Sequence, residues 1–132
     1  MPLVGQTSGM GGKAILVAED DPLVARLVQT LLEAAGYDVT LAADGYQALT
    51  LALDGAYDLH LLDVMMPGLT GDRVAGRLLQ ADGDTRIGFM TGAYGADLVE
   101  ERGPVLQKPF KDWQLLEFVD ALATEPVPLA DG

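Results

Sequence analysis

Short runs of apolar residues alternate along this chain with longer stretches in which apolar residues recur every three or four positions. A short apolar run bounded by turn-forming residues is typical of a buried parallel strand. The runs predict five strands, at Ala14–Ala18, Tyr37–Ala42, Leu59–Leu62, Arg86–Met90 and Pro104–Gln107. The last of these starts with proline, which has no amide proton to donate, so we expect it at an edge of the sheet.

The intervening stretches predict amphipathic helices, because their apolar residues share one face at helical spacing. A residue suited to helix capping precedes each of the four longer ones: Asp21, Asp44, Thr70 and Asp112. Pro22 suits the first position of the first helix. The apolar residues of that helix are Leu23, Leu27, Val28, Leu31 and Leu32. The stretch at 96–102 has room for only about two helical turns.

Strand and helix alternate five times, which favours a parallel sheet covered by helices on both faces. The chain of 132 residues suits one domain, predicted over residues 13–124. A glycine-rich stretch at 1–12 is expected to be a flexible leader, and 125–132 a flexible tail. In the last helix Trp113 is expected to anchor the core together with Phe110.

Charge and residue composition argue against several classes of function for this chain. The net charge of −12 would repel phosphate backbones, so direct nucleic-acid binding is not expected. The same charge suits a hard cation or a basic partner surface. The chain has no cysteine, which excludes thiolate chemistry and fits a reducing cytoplasm, and no apolar run is long enough to span a membrane. The predicted location is cytoplasmic.

Polar side chains follow four of the five predicted strands. They are Glu19 and Asp20 after the first strand, Asp63 after the third, Thr91 after the fourth and Lys108 after the fifth. The carboxyl ends of parallel strands share one edge, where ligands bind in open α/β sheets. Clustered carboxylates need a positive partner, and Mg²⁺ prefers oxygen ligands. The arrangement therefore suggests a pocket for a phosphoryl group with Asp63 as nucleophile.

Each of these residues also has a simpler explanation. Asp63 on its own reads as a turn or cap residue, and the acids after the first strand could merely begin a helix. Thr91 alone reads as a loop residue, and Lys108 as a solvated surface charge. His60, the one histidine, is expected to pack within its strand and to take no part in the chemistry. The acids, Thr91 and Lys108 follow successive strands in order, and this order favours the functional interpretation.

Three separated motifs resemble the receiver domain of two-component response regulators: ILVAEDDP at 15–22, LLDVMMPGLTG at 61–71 and QKPF at 107–110. The resemblance covers nearly the whole chain. It implies a flavodoxin-like (β/α)5 fold with strand order 2-1-3-4-5 and, here, a shortened fourth helix. It also implies that Asp63 accepts a phosphoryl group from a histidine kinase or a histidine phosphotransferase.

By the same resemblance, Mg²⁺ is held by Asp20, Asp63, Glu19 (partly through water) and the backbone carbonyl of Met65. Lys108 pairs with the phosphoryl group, and the Lys108–Pro109 peptide is expected to be cis. Thr91 is expected to be the hydroxyl that moves toward the phosphate when the domain switches.

Two features depart from the family pattern: the segment between Thr91 and Lys108 is shorter than usual, which shortens the fourth helix, and the residue three positions before Lys108 is not aromatic. Val105 stands where the family usually has the aromatic partner of the switch. FMTGAY at 89–94 resembles the F-A-T-G-x-Y motif of a stand-alone receiver subgroup, so Tyr94 could supply that aromatic element, or could simply pack or lie exposed. Met65 and Ala93, two positions beyond Asp63 and Thr91, cannot orient a hydrolytic water, and this predicts slow self-dephosphorylation.

The sequence therefore predicts a single-domain response regulator that signals through protein contact or phosphorelay and is a monomer or weak dimer. Two alternatives remain. The chain could be the receiver of a hybrid histidine kinase or larger regulator. It could also be an aspartyl-nucleophile phosphatase, although such an enzyme typically has an acid where this chain has Met65. The downstream partner cannot be read from the sequence.

Overall fold

A computed structural model describes residues 13–92, 95–99 and 101–124. These residues form a single parallel sheet with helices between the strands. Its five strands are β1 (Ala14–Ala18), β2 (Asp38–Ala42), β3 (Leu59–Asp63), β4 (Ile87–Thr91) and β5 (Val105–Gln107). They lie in the order β2-β1-β3-β4-β5, and every neighbouring pair is parallel. The predicted fold class and the strand order 2-1-3-4-5 are confirmed, and β5 lies at an edge as expected.

Four α-helices and one short 3₁₀ helix connect the strands. The α-helices are α1 (Pro22–Ala34), α2 (Gly45–Asp54), α3 (Gly71–Ala81) and α4 (Asp112–Thr124). The connection between β4 and β5 contains only a 3₁₀ helix, Ala96–Leu98, in its described residues. This fourth helical element is even shorter than the sequence pattern predicted. In the part of the chain that the structure describes, no helix is long and apolar enough to cross a membrane.

Side-chain caps begin the first two helices as predicted. Asp21 Oδ1 accepts a hydrogen bond from the Leu23 amide at 2.9 Å, and Asp44 Oδ1 accepts one from the Gln47 amide at 2.8 Å. These bonds satisfy amide groups that have no partner within the helix. Thr70 occupies the cap position of α3, but its side chain makes no capping bond, so that part of the prediction was wrong.

The start of α4 also differs from the prediction. Asp112 is the first residue of the helix, not its cap. The amide of Lys111 donates instead to Gln114 Oε1 at 2.7 Å. The Gln114 side chain thus accepts from a backbone amide at the start of the helix that has no partner within the helix.

The sheet divides the core into two layers, because successive side chains of a strand point to opposite faces. On β1, Ile15 and Val17 pack with α1 and α4, whereas Leu16 and Ala18 pack with α2 and α3. Helices therefore cover both faces, as the strand–helix alternation predicted. The central strand β3 is buried along its whole length.

Several apolar residues predicted to face the core lie at the surface instead. Leu23 is 81% exposed and Leu27 47%, because the packed face of α1 consists of Ala25, Val28 and Leu32. Trp113, predicted as a core anchor, is 59% exposed. Their helical spacing was correct, but spacing alone does not show how wide the buried face is.

Two other predictions about packing were correct. Phe110 is half-buried and packs against the layer formed with α1 and α4. His60 is buried, its Nδ1 lies 3.1 Å from the Arg86 carbonyl oxygen, and its ring meets that of Tyr57 edge-on. Burial lowers the pKa of His60, and the hydrogen bond to Arg86 opposes this only in part. The histidine is a neutral packing residue.

Gly45 shows how closely α2 approaches the loop that follows β3. A Cβ atom at this position would lie 2.8 Å from the carbonyl carbon of Leu69 and 2.9 Å from its Cβ. At Gly83 the same atom would meet nothing within 4 Å. We expect Gly45→Ala to lower the free energy of unfolding by about 1–3 kcal/mol through overpacking. Gly83→Ala should change it by less than about 0.5 kcal/mol. Urea unfolding followed by circular dichroism measures both, and equal effects would contradict this packing.

Candidate functional site

Three carboxylates meet at the carboxyl edge of the sheet. Glu19 follows β1 directly, Asp20 is the next residue, and Asp63 ends β3. One oxygen from each lies within 4.8 Å of the others. We call these residues the acidic rim. Glu19 is 2% exposed and Asp63 4%, whereas Asp20 is exposed. The predicted neighbours therefore do come together, although the chain separates them by more than forty residues.

Lys108 brings the compensating positive charge to the acidic rim from the far side of β4. Its Nζ donates to Glu19 Oε1 at 2.6 Å and lies 3.4 Å from Asp63 Oδ1. The Lys108 amide donates to the Thr91 carbonyl at 2.7 Å, which ties the end of β5 to that of β4. The peptide between Lys108 and Pro109 is cis, as expected.

Backbone contacts hold Asp63 in place. The Val64 amide donates to the Met90 carbonyl at 3.0 Å, and the Gly71 amide donates to the Val64 carbonyl at 2.9 Å. A Cβ at Gly71 would lie 3.0 Å from the Asp63 carbonyl carbon and would overlap its oxygen. Because Gly71 has no side chain, the first residue of α3 can lie directly against the end of β3.

The electrostatics of the rim favour a cation. Burial, followed by the negative charge of Glu19, raises the pKa of Asp63 to about 7, although Lys108 opposes this. Burial lowers the pKa of Lys108, but its hydrogen bond to Glu19 and the charge of Asp63 together raise the pKa by more. The pKa therefore lies above its ordinary value, and the ammonium stays charged. Lys108 thus offsets only part of the negative charge of a site that holds three carboxylates. A divalent ion would supply the missing positive charge.

Thr91 ends β4 and is fully buried. Its hydroxyl oxygen has no hydrogen-bond partner in the described part of the chain, which is uncommon for a buried polar atom. A Cβ at Gly95 would lie 2.9 Å from the Thr91 Cβ and 3.2 Å from the Val64 Cβ, and it would overlap the hydroxyl itself. The backbone at Gly95 therefore covers the Thr91 side chain.

Sequence reasoning missed the two glycines of this region, Gly71 and Gly95. Gly71 lies inside a recognised motif, but its contact with Asp63 is visible only in three dimensions. Gly95 is one glycine among the sixteen of this chain, so nothing in the sequence singles it out. Of the other predicted positions, Met65 is 54% exposed and Val105 is half-buried, packed against the α2–α3 layer. Ala93 and Tyr94 lie outside the described residues.

The donor set of the acidic rim suits Mg²⁺. Carboxylate oxygens are hard ligands, and Mg²⁺ typically binds one or two of them while it keeps several water molecules. The exposed side of the rim, at Asp20, leaves access for solvent and for an incoming group. An acidic pocket at the carboxyl edge of a five-stranded α/β sheet, with a lysine beside it, defines a phosphoryl-binding class of domain.

Comparison with known proteins places the chain within this class. The model of the family described as "Response regulator receiver domain" matches residues 15–120. The chain belongs to this family, and the resemblance seen in the sequence is confirmed. Receiver domains of this family are phospho-accepting switches of two-component signalling. The F-A-T-G-x-Y subgroup stays a prediction.

The chain is similar to "Transcriptional regulatory protein DltR" of Streptococcus agalactiae, with 38% identity over 77% of this chain and 48% of the relative. It is also similar to "DNA-binding response regulator MtrA" of Mycolicibacterium smegmatis, with 38% identity over 81% of this chain and 49% of the relative. The chain thus spans about half the length of these two relatives.

Among solved structures, the response regulator TrrA of Thermotoga maritima superposes with a TM-score of 0.78 at 34% identity. The match covers 83% of this chain and 98% of that one, and the structure is a complex with Mg²⁺-BeF. Together with the acidic rim, this confirms the prediction of Mg²⁺ as the cofactor.

The raised pKa of Asp63 predicts a pH-dependent effect of Asp63→Asn on stability. With an ordinary value of 3.8 and a folded value of about 7, Asp63 binds a proton more tightly when folded, so its contribution to stability falls as pH rises through this window. Asparagine does not titrate. Without metal, we expect the stability advantage of the variant over the parent to widen by about 2 kcal/mol between pH 5 and pH 7 and then to level.

Urea unfolding in EDTA from pH 5 to pH 8 measures this difference. Asp54→Asn, which neutralises an exposed carboxylate at the end of α2, is the matched control and should give a gap that stays flat. A flat gap for Asp63→Asn as well would contradict the electrostatic description of the rim.

Proposed function

We propose that this chain is a response-regulator receiver in which Asp63 takes a phosphoryl group from a phosphohistidine of a histidine kinase or a histidine phosphotransferase. A carboxylate oxygen of Asp63 attacks phosphorus, the nitrogen–phosphorus bond of the donor breaks, and the imidazole leaves with the bonding electron pair and takes up a proton. The product is an acyl phosphate on Asp63.

The proposal rests above all on the position of Asp63. It is the buried carboxylate that ends the central strand, with two other acids and the Lys108 ammonium around it. Packing on both faces of the sheet holds this end of β3 in place, so the nucleophile is positioned before any donor arrives.

Glu19, Asp20, Asp63 and the Met65 carbonyl are the proposed Mg²⁺ ligands. The ion supplies positive charge that offsets the oxyanions of the transferring group. Lys108, whose Nζ lies 3.4 Å from Asp63 Oδ1, adds a second positive charge, and to do so its Nζ turns from Glu19 toward the phosphoryl oxygens. The Thr91 hydroxyl has no hydrogen-bond partner among residues 13–92, 95–99 and 101–124, so it is available to donate to one of those oxygens.

Conformational signalling in this proposal depends on Thr91. Movement of its hydroxyl toward a phosphoryl oxygen removes the side chain from beneath Gly95 and so changes the support of the segment that leads to β5. Val105 packs against the α2–α3 layer and is smaller than the usual aromatic group. The Gly95 contact therefore takes the place of a threonine–aromatic pair.

The output is proposed to be protein contact or phosphorelay, as for a single-domain regulator. The alternative is a receiver within a larger protein, and the curated relatives favour it because they are about twice as long and are named as transcriptional or DNA-binding regulators. An antibody against the domain decides between the two: a band in host extract that migrates with this chain supports the single-domain regulator. A much larger band supports the alternative.

Phosphorylation is tested directly with a small donor. We expect acetyl phosphate with Mg²⁺ to add the mass of one phosphoryl group, as measured by intact mass spectrometry. Asp63→Asn should abolish the addition, and Asp54→Asn should leave it unchanged because Asp54 is exposed and outside the acidic rim. Undiminished labelling of Asp63→Asn would disprove the proposed acceptor. Rapid release of phosphate over many turnovers would favour a phosphatase instead.

The acyl phosphate should persist for minutes or longer, because Met65 presents an exposed thioether beside the rim and offers no group that orients an attacking water. We expect Met65→Gln to shorten the lifetime severalfold and Met65→Leu to leave it unchanged. The decay of the phosphorylated mass after removal of the donor gives the rate. A parent half-life of seconds, or equal rates for both variants, would contradict this explanation.

A further inference from the structure

Positive charge is unevenly distributed in this acidic protein. The chain has eight lysine and arginine residues against twenty acids, yet three of the eight line a single groove of about 420 Å³. They are Arg73 and Arg77 of α3 and Arg102, which lies just before β5. All three are exposed. We call this feature the arginine groove; its walls also include Leu69 and Asp72.

The geometry brings the guanidinium groups to both sides of the groove. Arg73 and Arg77 are one helical turn apart, so their Cβ atoms are separated by about 5–6 Å. Arg102 approaches from the other wall and lies over Gly76: a Cβ at Gly76 would be 2.7 Å from Arg102 Nη1. A side chain at this point of α3 would displace the guanidinium.

Ion pairs within the described residues do not explain these arginines. Among the described residues, both ion pairs involve Lys108, and no carboxylate oxygen lies within 4.0 Å of an arginine of the groove. Of the described residues, Asp72 is the one acid that lines the groove, and its Oδ1 is buried with no hydrogen-bond partner among them. Three positive charges against one negative charge, held close together, attract an anion.

We propose that the arginine groove binds a small ligand with two adjacent phosphoryl groups, such as inorganic pyrophosphate or the diphosphate of a nucleotide. Guanidinium groups bind phosphate oxygens in pairs, and guanidinium groups on two walls can engage two neighbouring groups at once. A concave site of this volume suits a small molecule. The groove shares no residue with the acidic rim, so this proposal is independent of the phosphoacceptor role of Asp63.

The probe is inorganic pyrophosphate in EDTA, because without metal the acidic rim repels anions. Titration by calorimetry gives the Kd, and amide chemical shifts show which residues respond. We expect the shifts to concentrate on α3 and Arg102. Arg77→Gln and Arg102→Gln should each weaken binding about tenfold, since each removes a charge-assisted hydrogen bond. Arg26→Gln, an exposed site on α1 with the same change of charge, should weaken it less than twofold.

Asp72→Asn provides the opposite test, because removal of the negative charge from the groove should tighten binding. ADP in place of pyrophosphate distinguishes a nucleotide from the free ion, and binding of either at α3 supports the proposal. Four results would overturn it: no binding at millimolar pyrophosphate, shifts confined to the acidic rim, equal weakening by Arg26→Gln, or equally tight binding of a glutamate-rich peptide.

Discussion

The repulsion between Glu19 and Asp63 is the constraint on which the rest of this structure depends. Two carboxylates, both almost fully buried, share one ammonium, and this arrangement costs free energy that the two packed layers must offset. Apolar packing of β1 and β3 in both layers supplies that support. The fold thus holds its charged groups where they bind a cation best, at the expense of its own stability.

Parallel topology makes this concentration of charge possible. The residues concerned come from the ends of four strands, and the order β2-β1-β3-β4-β5 brings the first and third strands side by side at the centre. Lys108 reaches across β4 from the sheet edge, and its backbone is tied to Thr91 on the way. No local segment of the chain could assemble the same set.

The sequence was most informative where local chemistry determines structure. The apolar run at Leu59–Leu62, the caps at Asp21 and Asp44, and the order of polar residues at strand ends all predicted the fold and the acidic rim correctly. It failed where the answer depends on tertiary packing: Leu23 and Trp113 have helical spacing but lie outside the buried face. The contact of Gly95 with Thr91 was also missed, although the two positions are only four residues apart, because the path of the backbone between them cannot be read from residue types alone.

That contact has a thermodynamic consequence in both directions. If rearrangement of Thr91 on phosphorylation displaces the backbone at Gly95, then linkage requires the reverse effect of equal size. A protein that binds the displaced form of the segment after Gly95 would make acyl phosphate formation more favourable. A protein that binds its undisplaced form would oppose phosphorylation. The downstream partner protein, although it binds away from the reacting atoms, would therefore help to set the fraction of receiver that is phosphorylated.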